Sequence, residues 1–233
     1  MREYEITAAP LHTGPPPQGD DVALWWLDTR SDVVGGHPVD GDDAPLSAEE
    51  RTRASRLRRP GDGHRHRAAH IALRLVLGGY TGQAPEAVTL SREPCPCCGD
   101  AHGRPALAGT ANLHFSLSHS DDLALIAVSG VRIGADVEGI RKQAIVNELL
   151  PSLHPDEHTA LRALPDAGRP QALARLWTRK EAYLKATGQG LAYGFTHPYV
   201  GIAETPAPVR HFTVLDLKAP PPYAAAIALN TAA

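Results

Sequence analysis

Apolar and polar positions alternate in blocks that separate cleanly into strand-like and helix-like segments. Short apolar runs occur at Val22–Leu27, Leu113–Leu117, Leu123–Ser129 and Ile133–Glu138. Runs of this length bounded by Gly, Asp and Ser predict strands, and Ser129-Gly130 supplies the turn between the last two. Helical signals lie elsewhere. Ser47 followed by Glu50 is a capping box, predicting a helix from Ala48 until Pro60 stops it. That helix would bring Arg51, Arg58 and Arg59 near one another. A second helix is predicted from Gly63 to Leu77, ending at Gly78-Gly79. Its residues His66, His70 and Arg74 form a basic stripe opposite Ala69, Leu73 and Val76. Further helices are predicted over 144–150 and 155–163, the latter with Pro155 in its first position. The clearest covers 171–187, with Pro170 at its start, Gly188 after its end, and Leu173, Leu176, Trp177 and Leu184 on one stripe. Residues 29–46 and 91–111 read as loops, and 195–230 as short strands broken by prolines.

Composition narrows the class. Hydrophobic residues make up 42% of the 233 and charged residues 21%, a globular balance. The formal net charge of -3 gives no global basic field for nucleic acid. Charge is instead local. Eight arginines and three histidines lie between Arg51 and Arg74, preceded by Asp40, Asp42, Asp43, Glu49 and Glu50. Such a patch suits a small polyanion better than a long polymer. No segment is apolar for long enough to span a bilayer, and MREYEITAAP lacks the apolar core of a signal peptide, so a cytoplasmic protein is expected.

Three places carry chemistry. In Gly134-Ala135-Asp136-Val137-Glu138, residues two apart on a strand share a face, so Asp136 and Glu138 set two carboxylates side by side. A hard divalent cation such as magnesium would relieve their repulsion; an acidic edge strand facing solvent is the plainer alternative. In Trp177-Thr178-Arg179-Lys180-Glu181-Ala182-Tyr183-Leu184-Lys185, the residues Trp177, Glu181 and Lys185 share one helical face. Glu181 could add a third carboxylate and Lys185 could meet a phosphate; an ordinary Glu–Lys helix pair is the alternative. Ser118-His119-Ser120 at a strand end offers hydroxyls and an imidazole to a phosphate, or is simply a turn. No Gly-x-Ser-x-Gly elbow surrounds these serines.

The ordered combination SerHisSer (118–120), GADVE (134–138) and WTRKEAYLK (177–185) resembles the Sfp-type 4′-phosphopantetheinyl transferases. The likeness covers roughly residues 47–195. It extends to His64-Arg65 and Arg74, where the family has an arginine-bearing helix, and to Gly103-Arg104-Pro105, similar to a Gly-Lys-Pro turn. The resemblance implies an α/β (α+β) fold of two similar lobes related by a pseudo-twofold axis, residues 1–130 and 131–233, in a monomer. It implies transfer of 4′-phosphopantetheine from coenzyme A to a serine of an apo acyl or peptidyl carrier protein, releasing 3′,5′-ADP. By the same resemblance Asp136, Glu138 and Glu181 look like Mg²⁺ ligands. Glu181 or a metal-bound water is then the base, and Lys185 serves the leaving group. Ser118, His119, Arg65, Arg74 and Arg104 look like phosphate contacts, joined at the pyrophosphate by Asp136 and Lys185. Two departures stand out: Arg104 replaces a lysine, and Ala135 a larger aliphatic residue. The carrier would dock near 144–163, where Leu149, Leu150 and Leu153 are either an apolar contact or, more simply, core. Competing functions are a non-catalytic coenzyme A or nucleotide-binding module and a metal-dependent phosphodiester hydrolase.

The cysteines are Cys95, Cys97 and Cys98. An odd count in one cluster is no disulfide framework and fits a reducing compartment. With His102 the spacing could seat zinc, but adjacent Cys97 and Cys98 make a four-ligand cage awkward, so free thiols beside the cofactor cleft are the expectation.

Overall fold

The computed structural model describes residues 1–41, 44–101, 103–141, 143–190 and 194–231; Asp42, Asp43 and His102 lie outside the described residues. The elements run β1 (Arg2–Ile6), β2 (Val22–Asp28), β3 (Val33–Val34), β4 (His37–Pro38), α1 (Ala48–Ser55), α2 (Asp62–Thr81), β5 (Leu90–Arg92) and β6 (Pro105–Leu107). There follow β7 (His114–Ser120), β8 (Leu123–Ser129), β9 (Ile133–Gly139), α3 (Gln143–Leu149), α4 (Pro155–Ala163), α5 (Arg169–Thr187), β10 (Phe212–Leu217) and β11 (Tyr223–Asn230). The architecture is mixed α/β, as expected.

One sheet has the order β1-β2-β8-β7 and another β10-β11-β9. Only β1 pairs parallel; β2, β8 and β7 are antiparallel, as are β10, β11 and β9. The run Val22–Leu27 is apolar throughout because both its faces are covered. Ala23, Trp25 and Leu27 pack with α2 residues such as Ile71 and Ala72. Val22 and Leu24 face Ala135, Val137 and Ile227 of the second sheet. A third cluster joins Val146, Leu150, Leu153, Leu161, Leu173 and Leu176. Leu150 and Leu153 are therefore core, and Leu149 is packed against it.

The edge strands of the two sheets, β7 and β9, lie side by side, and alternate serines join them. Ala135 N donates to Ser116 Oγ at 2.9 Å, Val137 N to Ser118 Oγ at 3.3 Å and Gly139 N to Ser120 Oγ at 3.2 Å. Period-two side chains thus satisfy the N–H groups that an edge strand would leave unpaired.

Several elements differ from expectation. α1 ends at Ser55 with Arg56 as its cap, so Arg58 and Arg59 lie beyond the helix and do not share a face with Arg51. α2 runs through Gly78-Gly79 to Thr81 and stops at Gly82, whose φ is 67°. The two earlier glycines serve close packing instead: an added Cβ would lie 2.7 Å from Gln83 O at Gly78 and 2.6 Å from Thr13 Cγ2 at Gly79. Two short pairs, β3–β4 and β5–β6, lie in the stretches read as loops. The C-terminal stretch holds one continuous eight-residue strand, β11.

Candidate active site

The site depends on how closely α5 approaches β9. A Cβ on Gly134 would collide with the Ala182 carbonyl oxygen and lie 2.5 Å from Ala186 N, so only glycine fits. Small residues on both sides, Ala182 and Ala186 of α5 with Ala226 and Ala228 of β11, complete the contact. Glu181 and Lys185 are thereby set over Asp136 and Glu138.

The helix motif divides by face. Arg179 and Lys180 are fully buried. Arg179 grips both carboxylate oxygens of Asp216 on β10, at 2.7 and 2.6 Å, and donates to the carbonyls of Gly201, Ala203 and Glu204. Lys180 pairs with buried Glu157 of α4 at 2.7 Å and donates to Pro198 O. Glu157 in turn accepts from Val200 N and Gly201 N. Trp177 stacks on Phe195 at 4.0 Å and is packing, although it shares a helical stripe with Glu181 and Lys185. Glu181 and Lys185 line a groove of about 1540 Å³ with Asp136, Glu138, Ser118 and His119. That exceeds the ~300–1,000 Å³ typical of small-molecule clefts, leaving room for a long ligand.

On the groove floor, Lys185 Nζ donates to Asp136 Oδ1 at 2.6 Å, Ser118 Oγ at 3.0 Å and Ala135 O at 3.2 Å. Ser118 donates to the same Asp136 oxygen at 2.7 Å. Glu138 accepts from Ser120 at 3.1 Å and pairs with Arg141 at 2.7 Å. The other oxygen of Asp136, Oδ2, is buried with no hydrogen-bond partner. Burial pushes the Asp136 carboxyl up, against the pull of Lys185 and Ser118. Burial, then repulsion from Asp136 and Glu138, pushes Glu181 up to about 7, with Lys185 opposing. Among the described residues no three His, Cys, Asp or Glu side chains stand as a ready-made metal cage. The donor set nonetheless fits a hard cation: all-oxygen, mutually repelling, and with one buried oxygen idle.

Of the expected arginines, Arg74 and Arg104 line the groove, each held by a carboxylate, and Arg65 does not. Arg74 is buried, bound to Glu50 at 2.7 Å and to the carbonyls of Pro85 and Val88. Arg104 is clasped by Glu93 at 2.7 and 3.0 Å while lining the groove. Arg65 pairs with Asp122 at 2.7 Å and is not among the lining residues. The groove also presents Arg53, His66 and His70 beside the expected His119. The His66 and His70 rings are 4.2 Å apart, and His119 is 6.4 Å from His66. Burial, then the charges of His70, His119 and Arg53, hold His66 down to about 4, and its Nε2 has no partner. Placement of His66 and His70 one turn apart on α2 was the readable signal.

Residues 132–228 match the model of the 4′-phosphopantetheinyl transferase superfamily. A 4′-phosphopantetheinyl transferase of Nostoc sp., HetI, is 40% identical over 154 residues, covering 64% of this chain and 62% of that protein. The 4′-phosphopantetheinyl transferase psf-1 of Bacillus pumilus is 28% identical over 65% of this chain and 61% of its own length. One of Bacillus subtilis is 26% identical over 64% and 63% respectively. The chain thus spans about three-fifths of the length of these relatives. The strand β9, the helix α5 that lies on it, the strand β10 and most of β11 fall inside the matched stretch, and with them the carboxylates and the lysine of the groove floor: it is this part of the chain that matches the 4′-phosphopantetheinyl transferase superfamily.

Proposed function

We propose that this chain transfers the 4′-phosphopantetheine arm of coenzyme A to a serine of an apo acyl or peptidyl carrier protein, releasing 3′,5′-ADP. The observation that carries the reading is the meeting of Asp136, Glu138, Glu181 and Lys185 in one groove within the matched domain. Asp136, Glu138 and Glu181 would hold Mg²⁺. When bound, the cation would neutralise charge on the pyrophosphate.

The chain's own groups account for the rest. The carrier hydroxyl attacks the β-phosphorus, and the bond to the bridging oxygen breaks. Glu181 accepts the hydroxyl proton; a carboxylate held near neutrality is suited to that task. Lys185 is fixed by Asp136, Ser118 and Ala135 O, so its ammonium is in place to meet the charge left on the departing phosphate. Arg53, His66, His70 and His119 supply donors to the nucleotide phosphates. Arg104 and Arg74 act as phosphate contacts from the wall, the first held by Glu93 and the second by Glu50. Arg65 acts only if it leaves Asp122. The two lobes divide after Gly130, in the turn between β8 and β9, and the metal side chains come from the second. A monomer in the cytoplasm is the working form; no helix among the described residues is long and apolar enough to cross a membrane.

The test is intact-mass analysis of several apo acyl and peptidyl carriers incubated with the protein, coenzyme A and magnesium. A gain equal to one phosphopantetheinyl group, absent without either addition, is expected. Unchanged mass across the panel refutes the reading.

A further inference from the structure

A second cavity, of about 740 Å³, lies outside the groove and shares no lining residue with it. Its size falls within the ~300–1,000 Å³ of ordinary ligand clefts. Trp26 of β2, Tyr223 of β11 and the prolines 220–222 supply an aromatic and apolar wall. Glu3 and Glu5 of β1, with Asp28 and Asp122, make the rest acidic. Against these four carboxylates the described lining sets one basic residue, Arg30, which lies 2.6 Å from Asp28 and 3.8 Å from Asp122. Asp122 is further held by Arg65 at 2.7 Å. The carboxylates of Glu3 and Glu5 have no hydrogen bond or ion pair with another described residue.

Those two glutamates stand on a free sheet edge. β1 is the last strand of its sheet and pairs only with β2. On its outer side it makes no backbone hydrogen bond to another described residue, so N–H and C=O groups stand open to a further strand. Alternate side chains divide between the faces. Tyr4 points to one side, where it stacks on Trp25 at 4.2 Å; Glu3 and Glu5 point to the other and line the cavity. Glu5 is the register partner of Trp26, which sets a carboxylate beside the indole. The two carboxylates repeat at about 6.5 Å along the strand.

We propose that β1 accepts an extended peptide bearing lysine or arginine at every second position, which joins the sheet as a further strand. Alternate side chains of the added strand face the cavity with the period of Glu3 and Glu5, so each basic residue meets a carboxylate across the strands. The rings of Trp26 and Tyr223 add faces to which a cation is drawn. Charge selects this occupant. Charged side chains on an edge ordinarily discourage pairing, but two of one sign on alternate positions repel an acidic strand and reward a basic one.

The site stands apart from the transfer chemistry. Ser118 and His119 lie on β7, the opposite edge of the same four-stranded sheet. A strand added to β1 is four strand spacings, roughly 19 Å, from β7. Such a peptide holds the protein while leaving the groove open to its own ligand.

The test is fluorescence anisotropy of a labelled peptide of alternating lysine and threonine, about six residues long, titrated with the full chain at about 0.15 M salt. Its readout needs no transferase activity, so its failure is distinct from failure of the proposed function. Saturable binding is expected, with slower amide exchange over residues 2–6 at saturation. Glu3→Lys combined with Glu5→Lys should weaken it on the order of 10-fold. Both side chains are exposed, so this variant should fold, which its far-UV spectrum checks. Two control peptides test the strand pairing whatever the variant does: one with the same lysines and threonines in separate blocks, and one N-methylated throughout. Each should bind several-fold more weakly. Absence of binding by the wild type overturns the proposal. So does equal affinity for either control peptide, unchanged exchange over residues 2–6, or unchanged affinity in the folded double variant.

Discussion

Gly134→Ala adds one methyl group where α5 rests on β9. The new Cβ would overlap the Ala182 carbonyl oxygen and lie 2.5 Å from Ala186 N, where ordinary contact begins at 3.4 Å. Both obstacles are backbone, so no side chain can swing away, and the helix must lift by roughly 1 Å, a displacement able to cost on the order of 10²-fold in rate when it misplaces catalytic groups. Overpacking of this kind costs about 1–3 kcal/mol or more. For a chain of this size each kcal/mol lowers Tm by about 2–4 °C. Gly168→Ala is the control, since no atom lies within 4 Å of its added Cβ. The assay pairs thermal unfolding with transfer to an apo carrier. Gly134→Ala should melt several degrees lower and lose most activity, while Gly168→Ala does neither. If Gly134→Ala matches the wild type in both, the close approach of α5 does not set the site.

Three further outcomes follow from particular contacts. Lys180→Met strands Glu157 as an unpaired buried carboxylate; urea unfolding should show a loss of about 3–5 kcal/mol, partly restored by adding Glu157→Gln. Glu50 is held down to about 2: burial raises it, but hydrogen bonds from His70, the Ser47 N–H and Arg74 outweigh that. Its folded pKa is depressed, so its stabilisation is complete above the ordinary value of 4.5 and drains away as pH falls towards about 2. Glu50→Gln should flatten the stability profile in that window; an unchanged acid limb contradicts the pairing. Glu181, held near 7, must shed its proton to bind a cation, so the magnesium needed for half-maximal transfer should rise as pH drops below about 7. A flat dependence between pH 6 and 8, on the order of the range where such a group titrates, excludes Glu181 as a ligand.

Much of this was legible along the chain because local signals and tertiary needs coincide. α4 begins at Pro155 and α5 ends at Gly188, where a helix-initiating proline and a left-handed cap mark the bounds. Periodicity alone set Asp136 beside Glu138 and Glu181 below Lys185. Elsewhere the same residue types served packing. Gly78-Gly79 reads as a stop but lets other backbone approach α2. Tyr223–Asn230 is rich in alanine, a poor strand former, yet forms β11 because small side chains let α5 lie close. Nor could arginine roles be read. Arg74 reads as part of a basic stripe and does line the groove, but its ion pair with Glu50, one helix earlier and fixed by the capping box of α1, has no signal in the sequence. Lys180 and Arg179 lie within the informative motif, yet hold the helix in place from its far side.

The central claim is that one groove, floored by Asp136, Glu138 and Glu181, performs the transfer. Its most direct test is the mass of an apo carrier after incubation with coenzyme A, magnesium and either the wild type, Asp136→Ala or Glu181→Ala, each shown folded by circular dichroism. The wild type should convert the carrier to the phosphopantetheinylated form, and both variants should leave it apo. Conversion by either folded variant at the wild-type rate would contradict the account.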